Sequence, residues 1–355
     1  PESRTGAVRN EEHMTTTPLT MTRRGALGAA GAAGLMALLA ACADTGADGK
    51  AVSTASGSGS GADYLTAVTS GPVATADVVA ASTWASAVKQ AGTLRIGGTR
   101  TSLVFSQEDP ATKKVTGFDA ALSQALARYV LGGDDPQALV EITQATSDTR
   151  ETLIQNGTVD AVFATYTITP ERAQKISFAG PYYASSQAIL VKSDNSTITG
   201  VESLTADVKV AVQSGSSSGP ALAKAGSTTK PIEFEDDSKC VAALQANQVD
   251  AYVVDQALLL SHVATNSDLK IVGEPFTTDP YGIGLPKDSD AQSFVNTFLR
   301  TIEDDGTWKR IWEATIGKIT GGTAPTPPEI GSVPGSQAAT PQATDSPEAT
   351  ASATS

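Results

Sequence analysis

The stretch from residue 149 to residue 183, TRETLIQNGTVDAVFATYTITPERAQKISFAGPYY, constrains the fold more than any other part of the chain. Residues 150–154 have helical character, and Asn156-Gly157 is a helix stop signal. Residues 159–164 are mostly apolar and β-prone, which predicts a short strand buried on both faces. The stretch therefore predicts a helix, a turn and a buried strand in succession, which is typical of an α/β protein.

A second helix is predicted to begin at Thr169-Pro170, because Thr is a good N-cap and Pro is tolerated at the first helical position. Arg172 then lies in the first turn, where the helix dipole disfavours a cation by about 0.3–1 kcal/mol. A bound anion, held by the guanidinium and the free helix N–H groups, would explain this placement. A surface ion pair with a neighbouring carboxylate is the alternative.

The helix–turn–strand pattern occurs twice. Residues 154–165, IQNGTVDAVFAT, are similar to residues 244–255, LQANQVDAYVVD, so the sequence indicates two similar α/β lobes. Ligands in open α/β sheets bind at the carboxyl ends of the strands. Here those ends are Thr165 and Asp255. Asp255 is predicted to bind a ligand ammonium group, and a helix N-cap role is its alternative.

The stretch and its flanking pieces resemble the signature of family 3 extracellular solute-binding proteins, which deliver amino acids to ABC importers. The flanking pieces, in the family's order, are GTLRIGGTR at 92–100, TGFDAALSQALA at 116–127, VAVQSGSSSG at 210–219, YGIGLPKDSD at 281–290 and DGTWKRIWEATIG at 305–317. The resemblance is strongest to the glutamate/aspartate-binding branch of high-GC Gram-positive bacteria. It implies an α/β protein with the two-lobed, type II periplasmic-binding-protein-like fold, whose lobes are joined by two crossover hinge strands.

The resemblance also implies the ligand-binding residues. In the acidic-ligand relatives, arginines at the positions of Arg100 and Arg150 receive the side-chain carboxylate, and two arginines from separate strand-to-loop junctions can clamp one carboxylate. A glycine- and serine-rich loop at 213–219 lies opposite Arg172 in the family, and a helix is predicted to begin at Pro220. The full predicted set is Arg100, Ser147, Arg150, Ala164, Thr165, Thr167, Arg172, Ser216, Ser217 and Asp255. The predicted ligand is glutamate or aspartate, with glutamine or asparagine, or an amino-acid sensor role, as alternatives.

Composition narrows the function classes. The net charge of −13, with 38 acidic residues, argues against nucleic acid as a partner. Two His and two Cys leave little for a metal site or a disulfide framework, and no cofactor is expected. An enzyme on the same scaffold would need a positioned acid or base, but His262 is predicted to lie away from every motif. The sequence therefore favours a binding protein, expected to be a monomer, over an enzyme.

The ends of the chain predict export and anchoring. Residues 1–42 are predicted to be a signal peptide whose lipobox, Leu39-Ala40-Ala41-Cys42, directs lipidation of Cys42, with a plain secretory cleavage site as the alternative. A lipidated Cys42 would hold the protein at the extracellular face of the cytoplasmic membrane, beside an ABC permease. The other Cys, Cys240, is expected to be a buried free thiol.

The rest of the chain divides into predicted segments by composition and family match. Residues 43–82 are predicted to be a flexible tether with an N-terminal segment, and 319–355 a disordered tail. Lobe 1 is assigned to 83–188 and 281–318, and lobe 2 to 189–280.

Overall fold

The computed structural model describes residues 60–337, so the predicted signal peptide, the lipobox and Cys42 lie outside the described residues. The helices are α1 (Ser60–Thr69), α2 (Ala76–Ala80), α3 (Thr83–Ala91), α4 (Phe118–Leu131), α5 (Arg150–Gln155), α6 (Pro170–Ala173), α7 (Ser218–Lys224), α8 (Asp237–Gln245), α9 (Gln256–Thr265), α10 (Ala291–Asp304), α11 (Thr307–Ala314) and α12 (Ile316–Thr320). The strands are β1 (Leu94–Gly98), β2 (Thr101–Ser102), β3 (Ser106–Glu108), β4 (Val115–Thr116), β5 (Val140–Gln144), β6 (Ala161–Phe163), β7 (Ser177–Ser185), β8 (Gln187–Lys192), β9 (Val210–Gln213), β10 (Ile232–Phe234), β11 (Ala251–Asp255), β12 (Leu269–Val272) and β13 (Asp279–Leu285).

Two five-stranded mixed sheets form the centres of the two lobes. The lobe 1 sheet has the order β5-β1-β6-β13-β7, and the lobe 2 sheet has the order β10-β9-β11-β8-β12. In lobe 1, β1 runs parallel to β5 and β6, and β13 is antiparallel to β6 and β7. In lobe 2, β9 runs parallel to β10 and β11, and β8 is antiparallel to β11 and β12. The predicted α/β class and its two lobes are confirmed.

The internal repeat has a structural cause. In lobe 1 a helix ends at Gln155 and β6 follows, and in lobe 2 a helix ends at Gln245 and β11 follows. The repeated aspartate joins each strand to its parallel neighbour. Asp160 Oδ2 accepts a 2.9 Å hydrogen bond from the Arg95 amide, and Asp250 Oδ2 accepts a 2.9 Å bond from the Lys209 amide. The same residue therefore fixes the start of the same strand pair in both lobes.

The chain crosses between the lobes twice. The first crossing is at Ser186, because β7 ends at Ser185 in the lobe 1 sheet and β8 begins at Gln187 in the lobe 2 sheet. The chain returns between β12, which ends at Val272, and β13, which begins at Asp279. The two hinge crossings expected for this fold are therefore adjacent in the structure, since Asp279 pairs with Ser185.

The N-terminal region differs from the expected tether. Within the predicted segment 43–82, the helices α1 and α2 form, and α1 packs on α4 and α11 of lobe 1. Tyr64, Ala67 and Val68 are buried and share one face of α1 at helical spacing. Tyr64 also donates a 3.0 Å hydrogen bond to Gln124 Oε1. These apolar residues make this part of the segment an element of lobe 1.

The C-terminal region also differs from expectation. Residues 321–337, which fall in the predicted disordered tail, have no regular secondary structure but pack against lobe 1. The Gly331 amide donates a 2.8 Å hydrogen bond to the Gly180 carbonyl, and Ser336 is fully buried.

Across the described residues 60–337, no helix has the length and apolar character needed to cross a membrane, and no cluster of His, Cys, Asp and Glu side chains could hold a metal ion.

Candidate functional site

Arg172 lies in a short helix that begins where the sequence predicts. Pro170 occupies the first turn of α6, and Thr169 Oγ1 accepts a 3.3 Å hydrogen bond from the Arg172 amide. The guanidinium is buried and spans the two lobes: Nη1 donates to the Thr167 carbonyl at 2.8 Å, and Nη2 donates to the Gly215 carbonyl of lobe 2 at 3.1 Å. Burial lowers the pKa of Arg172. Its Nε lies 4.0 Å from Glu151 Oε1, so the neighbouring carboxylate of the ion-pair alternative is present, but the Arg172 side chain is buried and does not lie on the surface.

Arg150 is the second buried guanidinium at this edge of lobe 1. It opens α5 instead of following a strand directly, and its Nη1 donates a 2.9 Å hydrogen bond to the Ala164 carbonyl. Its guanidinium carbon lies 3.8 Å from the centre of the Tyr166 ring, and that of Arg172 lies 5.2 Å from the same centre. Burial, and then the charge of Arg172, lower the pKa of Arg150 to about 9. Within residues 60–337 no carboxylate lies within 4.0 Å of Arg150, so its surroundings favour an added anion.

Asp255 is the corresponding buried anion in lobe 2. It ends β11, and α9 begins at the next residue, but its side chain makes no helix-capping hydrogen bond. Its Oδ1 is buried and has no hydrogen-bond partner among the described residues. Burial, and then the charge of Asp279, raise the pKa of Asp255 to about 7. A cationic hydrogen-bond donor would satisfy this oxygen.

Thr165, at the end of the lobe 1 strand, is held in a rare backbone conformation. Its φ of +43° lies in the left-handed region, where a residue other than glycine needs support from its surroundings. Asp119 supplies that support, since Asp119 Oδ2 accepts a 2.7 Å hydrogen bond from the Thr165 amide. Asp119 Oδ1 in turn accepts a 2.7 Å bond from the Tyr182 hydroxyl. Burial raises the pKa of Asp119 to about 6. Tyr182 is thus a buried core residue that supports the site indirectly, through Asp119.

The glycine- and serine-rich loop brings lobe 2 against Arg172. Ser217 Oγ lies 3.4 Å from Thr167 Oγ1 across the lobe boundary, and Ser216 Oγ accepts a 3.3 Å hydrogen bond from the Ser218 amide. The helix α7 begins at Ser218, before the predicted start at Pro220, with Ser217 as its N-cap. Gly215 has a φ of +68°, and a Cβ there would clash with Asp148 of lobe 1. The lobes are therefore closed on each other.

A narrow cavity of about 30 Å³ lies between the lobes. Its lining is mainly neutral and polar, with two carboxylates from lobe 2. The lining residues are Thr99, Thr101, Ser102, Gln144, Ala145, Thr146, Ser147, Ala164, Thr165, Gln213, Asp236, Asp237 and Leu258. Ser147, Ala164 and Thr165 of the predicted set are thus brought together. This volume is far below the roughly 300–1,000 Å³ of a small-molecule pocket, so the lobes must separate before an amino acid enters.

One hydrogen-bonded network leads from this cavity into lobe 2 and was not predicted. Gln213 Nε2 donates to the Tyr252 hydroxyl at 2.9 Å, and that hydroxyl donates to Asp237 Oδ1 at 2.9 Å. Asp237 Oδ2 lies 2.8 Å from His262 Nε2. His262 therefore contacts a residue of the cavity wall, Asp237, although Asp237 belongs to none of the predicted motifs. Asp237, Tyr252 and His262 come from three different elements, so no local sequence pattern indicated the contact.

Arg100 is the predicted site residue that the structure places elsewhere. Its Nη1 lies 3.2 Å from Glu108 Oε2, and its Nη2 donates to the Ile142 carbonyl. It lines a separate surface cavity of about 490 Å³, together with Lys113 and Asp135. Glu108 on β3 offers Arg100 a carboxylate on its own side of lobe 1, and this ion pair directs the side chain away from the cavity between the lobes.

The fold agrees with a match to known proteins. Residues 94–318 match the sequence profile of the bacterial extracellular solute-binding proteins, family 3. The chain belongs to this family. Because this is a family of solute-binding proteins, membership favours a binding protein over the alternative of an enzyme on the same scaffold. Cys240 is buried, forms no disulfide among the described residues, and has a pKa that burial raises.

Individual relatives show how closely the chain follows other members of the family. It is 32% identical over 231 residues to the ABC transporter glutamine-binding protein GlnH of Bacillus subtilis, a match that covers 65% of this chain and 83% of that protein. It is 32% identical over 214 residues to the glutamate-binding protein GluB of Corynebacterium efficiens, covering 58% and 72%. The crystal structure of the solute receptor for L-cysteine of Neisseria gonorrhoeae superposes with a TM-score of 0.63 at 27% identity, covering 67% of this chain and 95% of the other.

Proposed function

We propose that this solute-binding protein holds a polar α-amino acid between its two lobes and delivers it to an ABC permease. One observation carries the proposal: the short helix α6 of lobe 1 presents a buried guanidinium, Arg172, and the end of β11 in lobe 2 presents a buried carboxylate, Asp255, with an oxygen that has no hydrogen-bond partner among the described residues. An α-amino acid carries the two complementary charges. The names of the relatives, which bind glutamine, glutamate and L-cysteine, support an amino acid as the ligand class.

Each proposed residue has a role that follows from its atoms. Arg172 receives the α-carboxylate, because its guanidinium is a fork of donors at the lobe boundary. Asp255 receives the α-ammonium group with its unpartnered oxygen. Thr165, Thr167, Ser216 and Ser217 supply amide or hydroxyl donors around the carboxylate. Binding to both lobes at once stabilises the closed form, as in hinge closure around a ligand.

An acidic side chain is the first candidate for the rest of the ligand. Arg150 is buried, has a lowered pKa and has no carboxylate within 4.0 Å among residues 60–337, so a second ligand carboxylate would pair a charge that is otherwise costly to bury. Ser147 lines the adjacent cavity and can donate its hydroxyl. These two residues support glutamate or aspartate.

A neutral amide is the second candidate, and a specific observation favours it. Asp236 and Asp237 line the cavity between the lobes, and a carboxylate favours a donor such as an amide NH₂ over a second carboxylate. Arg100, which was expected to share an acidic side chain with Arg150, is paired with Glu108 instead. The side-chain amide of glutamine or asparagine could donate to these cavity carboxylates.

Competitive titration separates the two candidates. Glutamate, aspartate, glutamine and asparagine are titrated into the full mature protein and into the variants Arg150→Ala and Arg100→Ala. If Arg150 receives a ligand carboxylate, acidic ligands bind the parent protein at least about tenfold, or roughly 1.4 kcal/mol, more tightly than amides, and Arg150→Ala removes that preference. Arg100→Ala is the matched control and leaves the preference within about twofold.

Tighter binding of amides to the parent protein would move the assignment to the neutral-amide candidate, whereas loss of the acidic preference in Arg100→Ala alone would move the carboxylate contact from Arg150 to Arg100. Failure of all four amino acids to bind would contradict the proposed function itself.

The same proposal includes the anchor. Diacylation of Cys42 would hold the protein, as a monomer, at the extracellular face of the cytoplasmic membrane, beside its permease. Mass spectrometry of the native membrane protein should show a lipid on Cys42. Cys42→Ser should release the protein to the medium, and an unmodified Cys42 in membrane-bound protein would refute the anchor.

A role as the receptor of a membrane sensor uses the same residues. Deletion of the permease genes distinguishes this role from transport, because a sensory response would persist.

A further inference from the structure

The helix that carries Arg172 cannot orient itself. α6 has four residues, from Pro170 to Ala173, which is about one turn. A helix this short is not stable alone, so its direction is set by what packs behind it. The elements that contact the back of α6 therefore decide where the guanidinium points.

One such element lies outside the part of the chain that matches the family, which ends at residue 318. Residues 329–337, named here the docked segment, run along the back of α6. Gly335 has a φ of +96°, and a Cβ at this position would lie 2.7 Å from Ala173 Cβ and 3.3 Å from Ile168 Cγ2. Both the left-handed φ and the close approach require glycine, so the docked segment touches α6 as closely as a backbone can.

The docked segment also supports the ring beneath the two guanidinium groups. Val333 packs on the hydrophobic cluster that contains Tyr166, Ile168 and Phe178. The Tyr166 ring is the surface over which the Arg150 and Arg172 guanidiniums lie. The docked segment therefore contacts α6 at Gly335 and packs, through Val333, on the cluster that includes the Tyr166 ring.

Hydrogen bonds fix the docked segment on lobe 1. Gln292 Nε2 donates to the Phe178 carbonyl at 2.7 Å and lies 3.3 Å from the Ser336 carbonyl, so one side chain joins β7 to the docked segment. The Gly331 amide donates to the Gly180 carbonyl at 2.8 Å. These contacts hold the segment in register with α6.

We propose that the docked segment is a positioning element of the ligand site, which holds α6 so that Arg172 meets the ligand carboxylate. The inference rests on the proposed role of Arg172 in ligand binding. The segment does not touch the ligand; it acts by limiting the motion of α6 and of the Tyr166 ring.

Two alanine substitutions in the full chain form a matched test. Gly335→Ala places a Cβ against Ala173, whereas Gly331→Ala, at a φ of +84°, meets no atom within 4 Å. Both changes carry the strain of a left-handed residue, but only the first displaces the segment from α6. Gly335→Ala should weaken amino-acid binding about fivefold, which is within the range for substitutions that act on a binding site through packing. Gly331→Ala should change the affinity by less than about twofold.

Hydrogen exchange supplies a readout that does not need a ligand. The Ala173 and Gln174 amides donate to the Thr169 and Pro170 carbonyls within α6. In Gly335→Ala, and in the second variant Val333→Asp, these amides should exchange faster than in Gly331→Ala. If the parent protein binds no amino acid, the proposed function fails, and exchange alone decides the inference. Equal exchange at α6 in all variants, or equal affinity losses in Gly335→Ala and Gly331→Ala, would overturn it.

Discussion

Ligand binding through Asp255 should be coupled to the release of a proton. The pKa of Asp255 is raised to about 7 by burial and by Asp279, while the nearby Tyr281 hydroxyl and the charge of Arg150 act in the opposite direction. A carboxyl with a raised pKa keeps its proton up to that pH in the folded protein, whereas in the unfolded protein it loses the proton near pH 4. The free energy of unfolding therefore falls as the pH rises from about 4 to 7. A ligand ammonium needs the ionised form, and affinity therefore rises with pH across this range.

The size of the effect follows from the ionised fraction. With a pKa of about 7, that fraction is about 1% at pH 5, half at pH 7 and about 90% at pH 8. Because the apparent dissociation constant is the intrinsic one divided by the competent fraction, it should fall about 50-fold from pH 5 to pH 7 and less than about twofold from pH 7 to pH 8. Calorimetry in two buffers of different ionisation enthalpy should show close to one proton released at pH 5.

Two variants test the assignment to this carboxyl. Asp255→Asn cannot ionise, so its weaker binding should show little dependence on pH in this range. Asp279→Asn removes a charge that raises the pKa of Asp255, so the midpoint should move to lower pH and binding at pH 5 should strengthen relative to the parent protein. A flat affinity between pH 5 and pH 7 in the parent protein, or an unchanged pH profile in Asp255→Asn, would refute the reasoning.

Two further predictions concern Arg172 and the closed form. Arg172→Ala should weaken amino-acid binding by about 2–5 kcal/mol in calorimetry, the cost of removing one partner of a buried charge pair, and a dissociation constant within threefold of the parent value would contradict the assignment. Gly215→Ala should weaken binding about fivefold and enlarge the ligand-bound protein in small-angle scattering, because its Cβ would clash with Asp148 and oppose closure. Gly226→Ala, at a φ of +81° with no atom within 4 Å, is the control and should change neither quantity.

Local sequence signals predicted the parts of the site that depend on neighbouring residues. The Thr169-Pro170 start of α6 is a capping pattern, and the cap hydrogen bond forms as such patterns predict. The two similar stretches predicted two strand ends because each contains its own helix end, turn and strand. The strand β11 ends at Asp255 as predicted, and β6 ends at Phe163, two residues before the predicted Thr165. The repeated aspartates at 160 and 250 even make the same contact.

Features that depend on distant residues could not be predicted in this way. Arg100 follows a strand, as a ligand-binding arginine would, but Glu108 on another strand binds it. The contact between Asp237 and His262 joins two helices, and neither residue lies in a recognisable motif. The docked segment has the composition of a disordered tail, yet Val333 and Ser336 suffice to pack it on lobe 1. In each case the partner is chosen by tertiary contact, which composition and periodicity do not encode.

The two lobes share a plan, but the buried charges beside their repeated stretches have opposite signs. The lobe 1 strand ends between Arg150 and Arg172, and burial lowers the pKa of both; the lobe 2 strand ends in Asp255, and burial raises its pKa. Each charged form is thus destabilised where it lies, although in the described part of the chain neither arginine comes within 4.0 Å of Asp255 to neutralise it. A zwitterion relieves both costs in one molecule, and an analogue lacking either charge relieves only one. Closure without a ligand is costly because it buries these unpaired charges. An α-amino acid carries an ammonium group and a carboxylate on the same carbon, so it can pair with both kinds of charge and stabilise the closed lobes.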